Sequence, residues 1–217
     1  MNTVAKHIIL LGAPGVGKGT LGQVVARRAG LAYVSTGDML RAAVAAKTEL
    51  GKKVEAILTA GQLVSDDLVT ALVAERISKD DCKNGFMLDG FPRTLAQAKS
   101  LEKMPQGKID IVFNVELAED EIVRRISSRK SCPKCKAVYN LLFSAPKKEG
   151  TCDKCGSQLI TRSDDNPETV RNRIKVYEEN TKPLVEFYEK KGVLKRIDSS
   201  GSDNEPKIQK MLEMVGK

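Results

Sequence analysis

Gly12-Ala13-Pro14-Gly15-Val16-Gly17-Lys18-Gly19-Thr20 follows the short apolar run His7–Leu11 and opens a stretch, Lys18–Ala29, that reads as a helix. A buried strand, a glycine-rich turn and a helix N-terminus, in that order, are the setting a phosphate-binding P-loop requires. Glycines let the backbone curl so that successive N–H groups converge on phosphate oxygens. The helix N-terminus adds partial positive charge, and the Lys18 ammonium reaches the β- and γ-phosphates of a nucleoside triphosphate. A chance glycine-rich turn would not carry both flanks. One departure matters: Gly19 stands where Ser or Thr usually follows the lysine, and Thr20 comes one residue later. Direct Mg²⁺ ligation by a hydroxyl is therefore in doubt.

Outward from this loop, Ala32–Val34, Phe86–Leu88, Ile109–Val115 and Val193–Ile197 read as further strands. Helical pattern separates each from the last, so the sheet is expected to be parallel and the fold α/β. Thr36 and Ser65 are read as helix N-caps. Between them lie two helical stretches, the second stopped at Gly61. From Ser131 to Thr161 the apolar period vanishes and Cys, Pro, Lys and Gly take over. Asp164-Asp165-Asn166-Pro167 starts a long helix, with proline in its first turn. Pro183 should kink or interrupt that helix. Glu205–Val215 reads as a closing helix.

The 217 residues suffice for one sizeable core plus small insertions. Lys and Arg outnumber Asp and Glu by 36 to 28, a net +8. That surplus favours an anionic partner without separating nucleotides from nucleic acid or acidic lipid. No run approaches the roughly 18 apolar residues of a membrane span. Ile8–Leu11 runs straight into Gly, Ala and Pro, unlike a signal peptide. A cytoplasmic protein that does not bind membranes is expected. His7 is the only histidine and reads as a structural or surface residue, so Ser-His-Asp and Cys-His catalysis are disfavoured.

Cys132-x2-Cys135-x16-Cys152-x2-Cys155 has the spacing of a metal site. Two knuckles supply four thiolates, a tetrahedral shell suited to Zn²⁺, with iron or cobalt as alternatives. Every position is filled by protein, so such a site is structural and would hold a segment with little apolar surface of its own. Free thiols or two disulfides are the competing readings, disfavoured in a reducing compartment. Cys82 stands alone and reads as a packed thiol.

The variant GAPGxGKGT, followed in order by Ser35-Thr36-Gly37-Asp38-Met39-Leu40-Arg41, by Asp89-Gly90-Phe91-Pro92-Arg93 with Gln97, by Arg125 and Arg129, and by Arg162, Asp164-Asp165, Arg171 and Arg173, resembles the nucleoside monophosphate kinases. The set as a whole is similar to bacterial adenylate kinases with a long lid. The resemblance covers nearly the whole chain, apart from an N-terminal extension of a few residues. It implies a P-loop nucleoside monophosphate kinase fold, a five-stranded parallel sheet flanked by helices with two mobile insertions. The core would comprise 1–35, 65–126 and 165–217, the AMP-binding domain 36–64, and the four-cysteine lid 127–164.

The resemblance also implies roles. Gly15, Val16, Gly17, Lys18, Gly19, Thr20, Arg125, Arg129, Val138, Tyr139 and Gly201 would meet ATP. Thr36, Arg41, Gln62, Val64, Gly90, Arg93, Gln97, Arg162 and Arg173 would meet AMP. Lys18, Asp89, Arg93, Arg129, Arg162 and Arg173 would carry the chemistry. Phosphoryl transfer crowds negative charge, and arginine's planar, permanently charged fork suits it. Asp89 ends the apolar run Phe86–Leu88, where a carboxylate can hold Mg²⁺ through water or serve as a turn or N-cap residue. The Gln97 amide offers a donor and an acceptor to the N6/N1 edge of adenine. The expected cofactors are Mg²⁺ with ATP and a structural Zn²⁺. ATP, AMP and ADP are the expected partners, without nucleic acid, and the chain is expected to be a monomer. Three rivals remain. A UMP, CMP or GMP kinase of the same fold is disfavoured by Gln97 and the cysteine lid. A zinc-ribbon nucleic-acid binder leaves the P-loop unexplained and lacks aromatic stacking surface. A nucleotide sensor without turnover is disfavoured by Lys18, Asp89 and Arg93 together.

Overall fold

The computed structural model describes residues 6–216; the short N-terminal extension and the first five residues assigned to the core lie outside the described residues. The chain alternates strands and helices: β1 His7–Leu11, α1 Lys18–Ala29, β2 Ala32–Ser35, α2 Thr36–Ala45, α3 Glu49–Thr59, α4 Asp66–Ile77, β3 Phe86–Asp89, α5 Leu95–Glu102, β4 Ile111–Glu116 and α6 Glu119–Ser127. After β5 Arg129–Ser131 and β6 Val138–Asn140 come α7 Pro167–Val176, α8 Pro183–Lys190, β7 Leu194–Asp198 and α9 Glu205–Val215.

One five-stranded sheet has the order β2-β3-β1-β4-β7. All its pairings are parallel, as expected. Central β1 is apolar on both faces because helices cover both. Its residues alternate between two buried clusters. Ile8 and Leu10 pack with α1 and α9, while Ile9 and Leu11 pack with α4, α5 and α8. After β1 the chain goes to one side (β2, β3) and then to the other (β4, β7), so the switch point lies at the carboxyl end of β1. Ligands of open α/β sheets bind at such a crevice, and here the glycine-rich loop opens into it.

The sequence places α1 and α9 correctly to the residue. Gly30 ends α1 in the left-handed conformation, its N–H bonded to Ala26 O and Arg27 O. The cap of α2 needs correction. Ser35, not Thr36, accepts from Asp38 N at 3.3 Å. Ser35 is the last extended residue of β2, whereas Thr36 is already helical, so its hydroxyl turns to Gly90 O at 2.9 Å. Ser65 occupies the cap position of α4 but makes no side-chain cap bond. The long helix after Asn166 is interrupted before Pro183 by a π-helical turn, Tyr177–Thr181. There α7 gives way to α8.

The segment that lost its apolar period forms the antiparallel pair β5–β6 with a small core of Cys132, Ala137, Tyr139, Cys152 and Leu159. Among the described residues no helix is long and apolar enough to cross a membrane.

Candidate active site

The loop between β1 and α1 turns on glycines. Gly12 has φ 136°, and a Cβ there would lie 2.3 Å from Val115 O on β4, so no other residue fits so near the sheet. Gly17 caps α1 with φ 101°. Lys18 folds back over the loop, its Nζ donating to Gly12 O at 2.6 Å and Ala13 O at 2.8 Å. Burial lowers its pKa to about 8, partly offset by the Asp89 carboxylate. Val16 points away into the core, 1% exposed, so it can offer a ligand only its backbone.

A cavity of about 280 Å³ opens above the carboxyl ends of the strands. It brings together Gly15, Gly17, Lys18, Gly19, Thr20 and Asp89 with Arg41, Gly90, Arg93, Arg125, Arg129, Arg162 and Arg173. Val138, Tyr139 and Gly201 line its far side. A smaller recess of about 60 Å³ adjoins it, walled by Thr36, Gln62, Val64 and Gln97, and it shares Arg41, Gly90, Arg93 and Arg173 with the larger one. Of the residues assigned to the site, Val16 alone lines neither. Arg171, which the motif set also contains, is exposed on α7.

The cations are held by carboxylates and carbonyls. Arg129 grips Asp165 through both carboxylate oxygens. Burial works against the Arg129 charge, but Asp165 more than offsets it and its pKa is raised. Arg173 Nη1 contacts Asp164 Oδ2 at 2.9 Å and Asp165 Oδ1 at 3.2 Å. Arg93 Nε donates to Gly90 O at 2.9 Å, Arg162 Nε to Ser131 Oγ at 2.9 Å, and Arg41 pairs with Asp38. Burial, then the mutual repulsion of these cations, lowers Arg93 and brings Arg162 down to about 10. A cleft that holds repelling, desolvated cations so close favours several anionic groups at once.

Gln97 is 2% exposed. Its Oε1 accepts from Arg93 N at 2.7 Å and its Nε2 donates to Asp66 Oδ1 at 2.7 Å. One N–H and one lone pair of the amide therefore remain for a ligand.

Phe143, Thr181 and Tyr33 belong to the site and were missed by sequence reasoning, whereas Arg125, beside Phe143, was expected there. Arg125 donates to Ser199 O and Gly201 O and lies 5.6 Å from the centre of the Phe143 ring. Cation and ring face each other in the wall of the cavity. Phe143 sits in a loop outside any apolar pattern, and in a chain so poor in aromatics that exposed position was the available signal. Thr181, at the end of the π-turn, donates to Arg93 O at 2.9 Å. Tyr33 donates to Asp89.

Beyond the cavity, the Sγ atoms of Cys132, Cys135, Cys152 and Cys155 all lie within 4.8 Å of one another. Tetrahedral zinc–thiolate bonds place sulfurs roughly 3.8 Å apart. The pairs Cys132–Cys155 at 3.4 Å and Cys135–Cys152 at 3.5 Å are within a small adjustment of that. Cys135 N also points to Cys132 Sγ at 3.4 Å, as in a metal knuckle. The donor set fits one metal ion with four sulfurs. Cys82 is packed and receives Arg76 Nη1 at 3.2 Å. His7 stacks on Phe86 and bonds Lys108 O, a structural role.

Sheet topology, glycine cradle and converging arginines define a P-loop nucleoside monophosphate kinase. Comparison with known proteins agrees. A family model described as "Adenylate kinase" matches residues 10–193. An adenylate kinase of Archaeoglobus fulgidus is 50% identical over 89% of this chain and 91% of its own length. One from Thermosipho africanus is 47% identical over 96% and 99%, and one from Thermodesulfovibrio yellowstonii 46% over 92% and 94%. The chain belongs to the adenylate kinase family and is a phosphotransferase with that family's function.

Proposed function

We propose that the chain carries out ATP + AMP = 2 ADP across the two joined cavities, with ATP in the larger one over the P-loop and AMP in the recess beside α2 and α3. One observation carries this reading: Arg41, Arg93 and Arg173 line both cavities, and Lys18, Arg129 and Arg162 line the larger one beside them. A phosphate arriving from each side would meet there.

The backbone of Gly15–Thr20 would cradle the ATP phosphates, with Lys18 turning from Gly12 O and Ala13 O to the β- and γ-oxygens. Arg125 and Phe143 would hold the adenine, with Val138, Tyr139 and Gly201 around it. Thr36, Arg41, Gln62, Val64, Gly90 and Gln97 would hold AMP. Arg93, Arg129, Arg162 and Arg173 would neutralise the charge spread over the transferring phosphoryl. No general base is required, because the AMP phosphate is already ionised and attacks directly. Asp89 would hold the Mg²⁺ of Mg·ATP through water, and the metal would supply withdrawal of charge from the phosphates.

The units would be a core of 1–35, 65–126 and 165–217, an AMP-binding part of 36–64 and a lid of 127–164. The lid would carry a structural Zn²⁺ on its four cysteines, chosen over other metals by its preference for tetrahedral thiolates. The protein would work as a cytoplasmic monomer, free of membrane and nucleic acid.

The test is to incubate the purified protein with Mg·ATP and AMP, UMP, CMP or GMP separately and follow diphosphate formation. Rapid ADP formation with AMP alone is expected. Preference for another monophosphate would keep the fold and discard the Gln97 assignment. No turnover with any would sink the reading.

A further inference from the structure

Gly19 leaves this P-loop without the hydroxyl that usually follows its lysine. A side chain from the neighbouring strand stands at that place. A Cβ on Gly19 would lie 3.5 Å from the Tyr33 hydroxyl and 3.7 Å from Asp89 Oδ2. The same hydroxyl donates to that same Oδ2. Tyr33 pairs with Met87 and Ser35 with Asp89, so Tyr33 and Asp89 rise from one face of the sheet on adjacent strands. The ring lies against Gly22, one turn along α1, where a Cβ would meet Tyr33 Cε2 at 3.1 Å and Leu10 Cδ1 at 2.3 Å. Gly19 and Gly22 stand three apart on one helix face. Together they form a slot that admits a tyrosine and aims its oxygen at the phosphate side of the loop. Among the described residues the Tyr33 phenol is the one hydrogen-bond donor to the Asp89 carboxylate.

We infer that Tyr33 is a positioning residue for the metal–triphosphate: its phenol supplies, from β2, the hydroxyl that this P-loop lacks, and holds Asp89 by one oxygen so that the other is kept for the metal's water. The inference rests on the reading of Asp89 as the metal-side carboxylate. Outer-shell partners of this kind orient a ligating carboxylate, and their loss lowers metal affinity.

The test reads metal binding directly. Mn²⁺ is titrated into the complex of the full chain with ATP, and free Mn²⁺ is followed by electron paramagnetic resonance. The parent is compared with Tyr33→Phe, Asp89→Asn and the double variant Tyr33→Phe/Gly19→Ser. Phenylalanine keeps the ring on Gly22 and removes only the oxygen. Tyr33→Phe is expected to weaken Mn²⁺ binding about tenfold, with ATP affinity in excess chelator unchanged. Gly19→Ser, whose Cβ would make ordinary contacts, is expected to restore most of the loss. If Tyr33→Phe holds Mn²⁺ like the parent while Asp89→Asn loosens it, the inference is overturned and the Asp89 reading stands. If Asp89→Asn also holds Mn²⁺ unchanged, the Asp89 reading fails and takes the inference with it. An equal loss of metal-free ATP binding would mark Tyr33 as packing and overturn it. So would a double variant no tighter than Tyr33→Phe.

Discussion

Lys18 illustrates how a single residue couples burial to ligand charge. Its ammonium rests on Gly12 O and Ala13 O, and burial depresses its pKa from 10.5 to about 8. Below about 8 the folded and unfolded chains both hold the proton. Between about 8 and 10.5 the unfolded chain binds it and the folded chain does not. Stability therefore gains from this residue as pH rises through that window, because the desolvated charge is no longer held. Function runs the other way, since the neutral amine no longer attracts phosphate. Triphosphates bring negative charge to the amine and raise its pKa again. Near pH 8 the protein should then take up a proton as ATP binds. Calorimetric ATP titrations in buffers of different ionisation enthalpy read this directly, and affinity should weaken as pH climbs past about 8. Lys18→Met should bind ATP more weakly, with no such uptake and a flatter pH profile. A parent protein with no proton uptake would contradict the assignment. The positions of Lys18 and the arginines were legible, because each is fixed by a motif whose spacing survives in sequence. Tyr33, Thr181 and Ser199 were not. Their partners Asp89, Arg93 and Arg125 lie 56, 88 and 74 residues away, and nothing local marks the pairing.

At the scale of elements, α2 and α3 meet closely at one glycine. A Cβ on Gly51 would stand 2.1 Å from Ala43 O and 2.4 Å from Ala43 C. Both are backbone atoms that cannot swing aside. Alanine is the better helix former by about 1 kcal/mol, but forcing extra volume into a packed contact costs about 1–3 kcal/mol. With backbone as the obstacle the clash wins. Gly51→Ala should lower the melting temperature and, because α2 carries Thr36 and Arg41, raise the KM for AMP more than that for ATP. A melting temperature at or above the parent's would mean that the two helices separate freely. The sequence revealed α2 and α3 as helices but gave no sign of this contact, which depends on their crossing. The same limit explains the other differences. The strands β5 and β6 are three residues each, and Arg129-Lys130-Ser131 shows no apolar alternation, so periodicity had nothing to register. Pro183 did announce an interruption. The π-turn precedes it because the missing proline N–H and the ring's clash fall on the turn before. For α2, adjacent Ser35 and Thr36 both suit a cap, and the end of β2 decides between them.

Across the whole molecule, stability is unevenly shared. The two clusters on either side of the sheet draw on nearly every core helix. The segment from β5 to residue 164 has only its five-residue core, two of whose members are cysteines, and it exposes Leu141, Leu142 and Ile160. At its base, Arg129 and Arg173 close on the buried Asp165 and tie it to α7. Such an ion-pair anchor orients the segment but cannot fold it, since the desolvation of the charges offsets much of their attraction. The remaining source of stability is the four-sulfur cluster, where the binding energy of the proposed metal would become folding energy. Removing the metal should therefore melt this segment alone. In hydrogen exchange, the amides of Ser131, Cys132 and Ile160, bonded to Ile160 O, Ala137 O and Ser131 O, should lose protection on chelation. Those within β1 and β4 should keep theirs, because no residue of the small core belongs to the two large clusters. Thermal unfolding should split into an early minor step and a later major one, and ATP turnover should fall as Val138, Tyr139 and Phe143 leave the cavity wall. Unchanged protection at Ser131, Cys132 and Ile160 after complete metal loss would show that the segment folds on its own apolar contacts. The cysteines would then need a different explanation.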